Sequence, residues 1–435
     1  MRHLVLGLVM AFLLVGGTAG AGPTPGSAYV SDFGNNTVFL LPNPQATTSS
    51  TPISVGSSPS GLAILGSRVY VAQSVWNGSV SVINTADNSV ASITVGHFPM
   101  GVATDGRLVF VTNFFSPTLS VINTTTTPIS VAAAVVGILA RGVAVHPTLP
   151  YVYVTNWGSG GVTIVRTTDL SMVVPNAHVG LNPSGVAVAP DGSEVYVTLE
   201  GEGKLAILDP LSAAPMGTPV QVGSGPTGVA VAPDGRHIYV ANKVSNTLSV
   251  VDKATRGVMT VGVGSNPTGV AVSTDGSTVY VANSLGASLS VLNALTNTVV
   301  NTIPLIGSFP VAVALVPGSP VITVNIDMPG VINLRSEGTL PVAILSTANF
   351  DATRVNPETV ILAGAPVKMK PNLTLMWSLE DVNGDGRLDL VVHIDKEKLQ
   401  LSASETKAVL EGQTYPDVNN IVTSIRGSAT VKIVP

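Results

Sequence analysis

The chain of 435 residues contains no cysteine. Disulfides, cysteine-ligated zinc, thiolate catalysis and covalently attached haem are therefore excluded. Charge is scarce: Asp, Glu, Lys and Arg make up 10% of the residues, against about 25% in an ordinary globular domain. Aromatic residues are 5%, and the formal net charge is −5. That balance argues against a nucleic-acid binder, which needs a basic face. Long apolar runs are missing too. Neither Leu4 to Val15 nor Ile129 to Ala140 reaches the roughly 18 residues of a membrane span, and the second run falls in register with a repeat and reads as a strand.

What is present is 45% apolar content, with 44 glycines and 31 prolines. A chain this hydrophobic must build cores, and little charge with many glycines points to β-structure with tight turns. At the N-terminus Arg2 and His3 precede the apolar Leu4–Val15 run, and Ala19-Gly20-Ala21 offers a small-x-small cleavage pattern. Residues 1–21 are expected to be a signal peptide. The mature chain is then expected outside the cytoplasm, secreted or in the cell envelope, with no membrane span.

One phrase recurs as Tyr29-Val30, Tyr70-Val71, Phe110-Val111, Tyr153-Val154, Tyr196-Val197, Tyr239-Val240 and Tyr280-Val281, at spacings of 41, 40, 43, 43, 43 and 41. A second phrase, Pro-x-Gly-Val-Ala-Val, is centred on Gly61, Gly101, Gly142, Gly185, Gly228 and Gly269, with a degenerate copy at Pro310–Ala314. Each unit orders an apolar strand, a turn, the Tyr-Val strand, a loop, an alternating strand and a weak last strand. Four short strands in about 40 residues are a propeller blade. The chain starts inside a unit, at its second strand, and the missing first strand appears only at Pro310–Leu315. The reading is an all-β, seven-bladed β-propeller over residues 22–317, closed by N- and C-terminal strands.

Tyr153-Val154-Thr155-Asn156, with Tyr239-Val240-Ala241-Asn242 and Ala232-Pro233-Asp234-Gly235, resembles the YVTN β-propeller repeat of secreted and surface-layer proteins. The resemblance covers residues 28 to 316. It implies a stable extracellular binding or adhesion platform without a shared catalytic set, and fold alone does not settle chemistry.

In a propeller the loops between second and third strands share one face with the blade-to-blade loops. On that face lie Phe33, Trp76, Phe114, Phe115 and Trp157, with His97, Phe98 and Met100 beside them. Arg141 enters where the regular Pro-x-Gly becomes Ala140-Arg141-Gly142. Rigid exposed rings stack on sugars, peptides or cations, so Phe33, Trp76, His97, Phe98, Phe114, Phe115, Arg141 and Trp157 are the candidate ligand site. The alternative is that these rings fold down and pack between blades. Later loops hold Glu200, Glu202 and Lys243 instead.

After Pro317-Gly318-Ser319-Pro320 the composition changes. Residues 22–317 carry 9 basic and 12 acidic residues, and the much shorter 318–435 carries 10 and 13. Seven strand-like runs make 318–435 a small β-sandwich domain. Its one chemically loaded motif is Asp381-Val382-Asn383-Gly384-Asp385-Gly386-Arg387-Leu388-Asp389. Asp381, Asn383, Asp385, the Arg387 carbonyl and Asp389 fall at positions 1, 3, 5, 7 and 9 of a loop that wraps calcium, with Gly386 at the sharp turn. Position 12 is Val392 and a strand follows, so the loop resembles the β-hairpin calcium loops of FG-GAP repeats. Calcium is the expected cofactor. Sequons stand at Asn35, Asn77, Asn123 and Asn372.

No nucleophile elbow, phosphate-binding loop, HExxH pair or dinucleotide fingerprint is present. The candidate face offers His97, Glu200 and Glu202 with little to partner them. The sequence therefore reads as a non-catalytic, exported recognition platform for a glycan, peptide or protein, not an enzyme. A structural envelope component is the first alternative, and a lactonase-type propeller hydrolase is the second.

Overall fold

The structure is a computed structural model describing residues 26–42, 44, 50–305, 309–316, 321–334, 338–347, 350–370, 374–401, 407–415 and 424–434. The signal-peptide expectation and the Asn372 sequon lie outside the described residues. The chain divides into two compact units between Val316 and Pro317. Among the described residues there is no α-helix, only strands and two 3-10 turns.

The first unit holds seven antiparallel sheets of four strands, here blades 1 to 7 with strands a to d counted outward from the axis. Blade 2 is typical: Pro59–Leu65, Arg68–Gln73, Ser79–Asn84 and Val90–Thr94. Blades 3 to 7 begin at Pro99, Ala140, Pro183, Pro226 and Pro267. Blade 1 is composite. Its strand a is Pro310–Leu315, paired antiparallel with Ala28–Asp32 as strand b, so the two ends of the unit close the ring. Each strand a contacts strand a of the next blade, and the ring returns from blade 7 through blade 1 to blade 2.

The recurrent residues have separate jobs. The aromatic residue of each Tyr-Val phrase is buried in a core shared with the next blade. Tyr70 packs with Val109 and Val111 of blade 3, and Tyr280 packs with Ala28 and Val30 of blade 1. The Asn that ends strand b ties the hairpin: Asn113, Asn156, Asn242 and Asn283 each donate Nδ2–H to the Ser or Thr seven residues on, at 2.9 to 3.0 Å. Strand b is buried on both faces, as in Leu108–Asn113. Strand d lies outermost and exposed, as in Ser130–Val135, the strand within the Ile129–Ala140 run.

Around the axis a hydroxyl of each blade donates to a carbonyl of the next. Ser31 reaches Ser60 O, Ser60 reaches Met100 O, Thr112 reaches Arg141 O and Thr155 reaches Ser184 O. Thr198 then reaches Thr227 O, Thr227 reaches Thr268 O, and Thr268 reaches Pro310 O, closing the circle. The distances run from 2.5 to 3.3 Å. Glycine permits this approach, because a Cβ at Gly185 would stand 2.2 Å from Thr227 O.

The second unit packs two sheets on one apolar core. Val321–Thr323, Ser424–Thr430, Lys407–Thr414, Val355–Leu362 and Ala365–Pro366 form the first. Asn325–Asp327, Thr339–Leu345, Asp389–Asp395 and Trp377–Glu380 form the second, and Val331–Asn333 pairs with Lys432–Val434. Val360, Leu362 and Leu410 of one sheet meet Val342, Ile344 and Val392 of the other. This is a sandwich. The segment Val321–Asp327 supplies two strands in different sheets, with Val324 buried in the core between them.

Gly185→Ala is expected to destabilise the protein by about 1 to 3 kcal/mol, the range of a tight overpacking, read by chemical denaturation. Gly262→Ala, where an added Cβ meets nothing within 4 Å, is the control and should leave the midpoint unchanged.

Candidate functional site

The strands a enclose a cavity of about 500 Å³ on the axis. Its wall repeats one glycine and one aliphatic residue per blade, such as Gly185 with Val186 and Gly228 with Val229. Two lining residues break that monotony, Phe33 and Arg141. A larger groove of about 890 Å³ opens on the opposite face between blades 5 and 6, lined by Asp191, Glu194, Asp234, Arg236, His237 and Lys253 among others. Two of its acids are already paired there, Asp191 with Lys253 at 2.9 Å and Glu194 with Arg256 at 2.6 Å. It acts as a brace between blades, and the axial cavity is the better site.

Arg141 occupies the middle of the Pro-x-Gly position, which other blades fill with Ser60, Met100, Ser184, Thr227, Thr268 and Val311. Its Nη1 donates to one carboxylate oxygen of Glu200, and Lys243 Nζ donates to the other. Burial alone would raise the Glu200 carboxyl. The Arg141 charge, with the Lys243 hydrogen bond and charge, outweighs that, and the net shift is downward. Glu200 is thus a carboxylate at neutral pH. One carboxylate facing two cations leaves this trio with one positive charge in excess. The neighbouring Glu202 and Lys204 neutralise each other at 3.0 Å.

The aromatic residues singled out in sequence form one arc across blades 2 to 4. Trp76 stacks on His97 with centroids 4.8 Å apart, and Phe115 lies 6.1 Å from Trp76. Phe98 and Phe114 each meet Phe115 edge-on, at 5.0 and 5.1 Å, and Phe114 reaches Trp157 at 6.4 Å. Phe33 stands apart from the arc, on the cavity wall. The alternative that the rings serve only as inter-blade packing does not hold for Phe33, Trp76 and Phe115, which are 42, 62 and 50% exposed. Phe114 and Trp157 are half-buried, and Trp157 Nε1 is buried without an acceptor among the described residues.

His97 Nδ1 sits 2.5 Å from Trp76 O. A carbonyl only accepts, so Nδ1 carries the proton and Nε2 keeps its lone pair. The next residue, Phe98, has φ of 55°, and Leu139 has 56°. Both precede a strand a, at the position held by Asn182, Gly225 and Asn266 in blades 5 to 7, all at positive φ. Asn and Gly tolerate that left-handed backbone. Bulky Phe and Leu there store strain, and they do so beside Arg141.

Asp381, Asn383 and Asp385 share one exposed turn, where Gly384 and Gly386 take φ of 73° and 82°. The Asp381 carboxylate accepts the N–H groups of Asp385 and Gly386, and Asp385 Oδ1 accepts that of Arg387. Asp389 differs from its expected place as a loop ligand. It is fully buried and accepts from Ser346 N at 2.7 Å and Val382 N at 3.0 Å, anchoring the turn to the core. Among the described residues no group of three or more His, Asp or Glu is arranged to hold a metal.

With this geometry in hand, residues 191–323 match the family model of the cytochrome D1 heme domain. No curated protein is a match in sequence. Among solved structures, a Bacteroides uniformis protein classed as a 6-phosphogluconolactonase superposes with a TM-score of 0.56 at 16% identity, over 67% of this chain and 99% of that one. The Pseudomonas aeruginosa periplasmic gluconolactonase PpgL gives 0.54 at 19% identity, over 67% and 99%. The dihydro-heme d1 dehydrogenase NirN, in complex with DHE, gives 0.50 at 13%, over 67% and 75%. At these identities the likeness shows the fold, a β-propeller.

These comparisons correct the sequence reading of a non-catalytic adhesion platform without enzymatic activity. The neighbours include lactonases and a dehydrogenase, and the mouth carries a cavity with a fixed cation rather than a flat adhesive rim. The physical reason for the miss is that a catalytic constellation was sought as several acids, whereas one arginine on an apolar wall is no motif. Glu200 and Lys243 were visible as loop residues, but their convergence on Arg141 was not.

Glu200→Gln is expected to cost about 1 to 3 kcal/mol, the penalty for half-buried cations losing their charged partner. A depressed carboxyl contributes stability above its unfolded value and loses it as pH falls through its folded value. The difference between wild type and E200Q should therefore be constant at and above about pH 6 and shrink below the ordinary glutamate value of about 4.3. Urea denaturation across pH reads it.

Proposed function

We propose that the chain is a propeller hydrolase of the lactonase type, acting at the axial cavity on a cyclic ester that carries an anionic group. The observation that carries the reading is Arg141, the one charged residue on the cavity wall, steadied by Glu200 and Lys243. A guanidinium has five N–H donors, so its Nη1 contact with Glu200 leaves others for a carboxylate or phosphate. His97, exposed on the aromatic arc outside the residues that line the cavity, is the candidate base. Its free Nε2 withdraws a proton as water oxygen adds to the ester carbonyl carbon. The ring C–O bond then breaks, and the leaving alkoxide takes that proton back, giving a hydroxy acid. The lactonase neighbours support this reading.

A tetrapyrrole, to which the family model and NirN point, fits these residues poorly. Such a macrocycle carries several carboxylates, and the cavity offers one cation. The matched segment itself contains His237, which lines the groove on the opposite face.

Hydrolysis of 6-phosphogluconolactone, an anionic cyclic ester, followed by acid release, tests the activity. Arg141→Leu should raise KM with kcat little changed, because it removes ground-state binding. His97→Gln should lower kcat by roughly 10²- to 10⁴-fold, the usual contribution of a general base. Unchanged kinetics in both variants, or no hydrolysis of any lactone by the wild type, would overturn the reading.

We further propose export, for which a periplasmic neighbour and the N-terminal pattern speak; among the described residues no helix is long and apolar enough to cross a membrane. We also propose that the Asp381–Asp385 turn binds calcium, supported by its all-oxygen donors and two left-handed glycines. Titration calorimetry of the full chain should find one site in the range of about 10⁻⁴ to 10⁻³ M typical of extracellular modules. Asp381→Ala with Asp385→Ala should abolish it, and no heat from the wild type would refute it.

A further inference from the structure

The cavity is poorly suited to the polyhydroxylated sugar acids of the lactonase neighbours. A polyol needs a convergent set of donors and acceptors, since each hydroxyl stripped of water must be repaid by a partner. Among the described residues no Asp, Glu, Asn, Gln or His side chain lines this wall. Of the four lining hydroxyls, Ser60, Thr227 and Thr268 already donate to carbonyls of the next blade. Everything else on the wall, Arg141 apart, is glycine or apolar.

The rim extends the same character. The loops of the later blades lack aromatics, yet each presents an exposed aliphatic side chain at this crown. Ile138 and Leu181 lead into blades 4 and 5, and Val244 and Leu285 cap the b–c loops of blades 6 and 7. All four are between 59 and 66% exposed. With Phe33, Trp76 and Phe115, every blade presents a large apolar side chain beside the mouth. Scattered exposed aliphatics need no explanation, whereas a contiguous set around a cavity marks a binding surface.

We propose that the ligand of this site is an amphipathic organic anion, with one carboxylate held by Arg141 and an apolar body lying along the cavity wall and crown. The inference rests on the mouth being the substrate site and names the substrate class that the mouth selects. The substrate's own alkyl body is the occupant, because the wall beside Arg141 is aliphatic and Phe33 carries that apolar surface to an exposed position at the rim.

The test uses the full chain and three probes below their micelle concentrations: decanoate, gluconate and decyltrimethylammonium, followed by tryptophan fluorescence and calorimetry. Decanoate should bind at least about tenfold tighter than gluconate, a difference of ~1.4 kcal/mol, and decyltrimethylammonium should not bind measurably. Arg141→Leu should weaken decanoate tenfold or more, and Val244→Ser with Leu285→Ser should weaken it several-fold while melting like the wild type. Equal or tighter gluconate binding, or decanoate binding indifferent to Arg141, overturns the inference. Hydrolysis of 6-phosphogluconolactone and of a long-chain δ-lactone ending in a carboxylate is read separately. Turnover of 6-phosphogluconolactone alone would sink this substrate class while sustaining the hydrolase, and decanoate binding without turnover of either lactone would do the reverse.

Discussion

The propeller depends on how closely neighbouring blades approach at the axis. At all seven interfaces a serine or threonine hydroxyl donates to a backbone carbonyl of the next blade. In six blades glycine stands beside that contact, with Ala312 in its place in blade 1; an added Cβ at Gly61 or Gly228 would lie 2.2 Å from a carbonyl oxygen. Each hydrogen bond contributes about 1 kcal/mol, less than the aromatic ring buried farther out at each interface. What the hydroxyls fix is geometry. They tie the blades together around the axial cavity, and three of its four lining hydroxyls, those of Ser60, Thr227 and Thr268, are engaged in this way.

A wall made by repetition has little chemistry, so departures from the repeat carry the function. Strand a supplies a glycine and an aliphatic at nearly every turn, and its variable position is small or apolar except at Arg141. The preceding loop position is Asn or Gly in blades 5 to 7, all in a left-handed backbone, and departs to Ser58, Phe98 and Leu139 at blades 2 to 4. Both departures fall in the same sector of the ring. The strain of a bulky residue at positive φ and the burial of a cation are tolerated together, where the blade-to-blade loops meet the aromatic arc.

The repeat, its phase, the closure of the ring and the change of character near Pro317 were legible in the sequence because they recur or accumulate over many residues. The convergence of Glu200 on Arg141 was not, since 59 residues separate them and only ring geometry brings blades 4 and 5 to one point. The crown was half legible. Trp76 and Phe115 stand out in a chain poor in aromatics, while Ile138, Leu181, Val244 and Leu285 look like core residues in a chain that is 45% apolar. In the second unit, strands such as Val331–Asn333 have three residues, too few for an alternation to register. Asp389 followed the calcium-loop spacing, yet the sheet claims it, because a residue paired in strand register points where the strand dictates.

The charge at the mouth runs against the charge of the chain. The protein is net −5, yet Arg141 and Lys243 together exceed Glu200 by one unit. At a distance this excess is invisible, for opposite charges elsewhere and a Debye length of about 8 Å at physiological salt screen it. Within the cavity the sign reverses, because aliphatic walls admit little water and a single cation acts there at low effective dielectric. Glu200 is then more than a counter-ion. By taking one edge of the guanidinium and the Lys243 ammonium together, it fixes where the remaining N–H groups point and keeps a second free cation out of the cavity. A site built this way attracts an anion only once it has arrived, and discriminates by what the rest of the molecule can do against a wall without hydrogen-bonding partners.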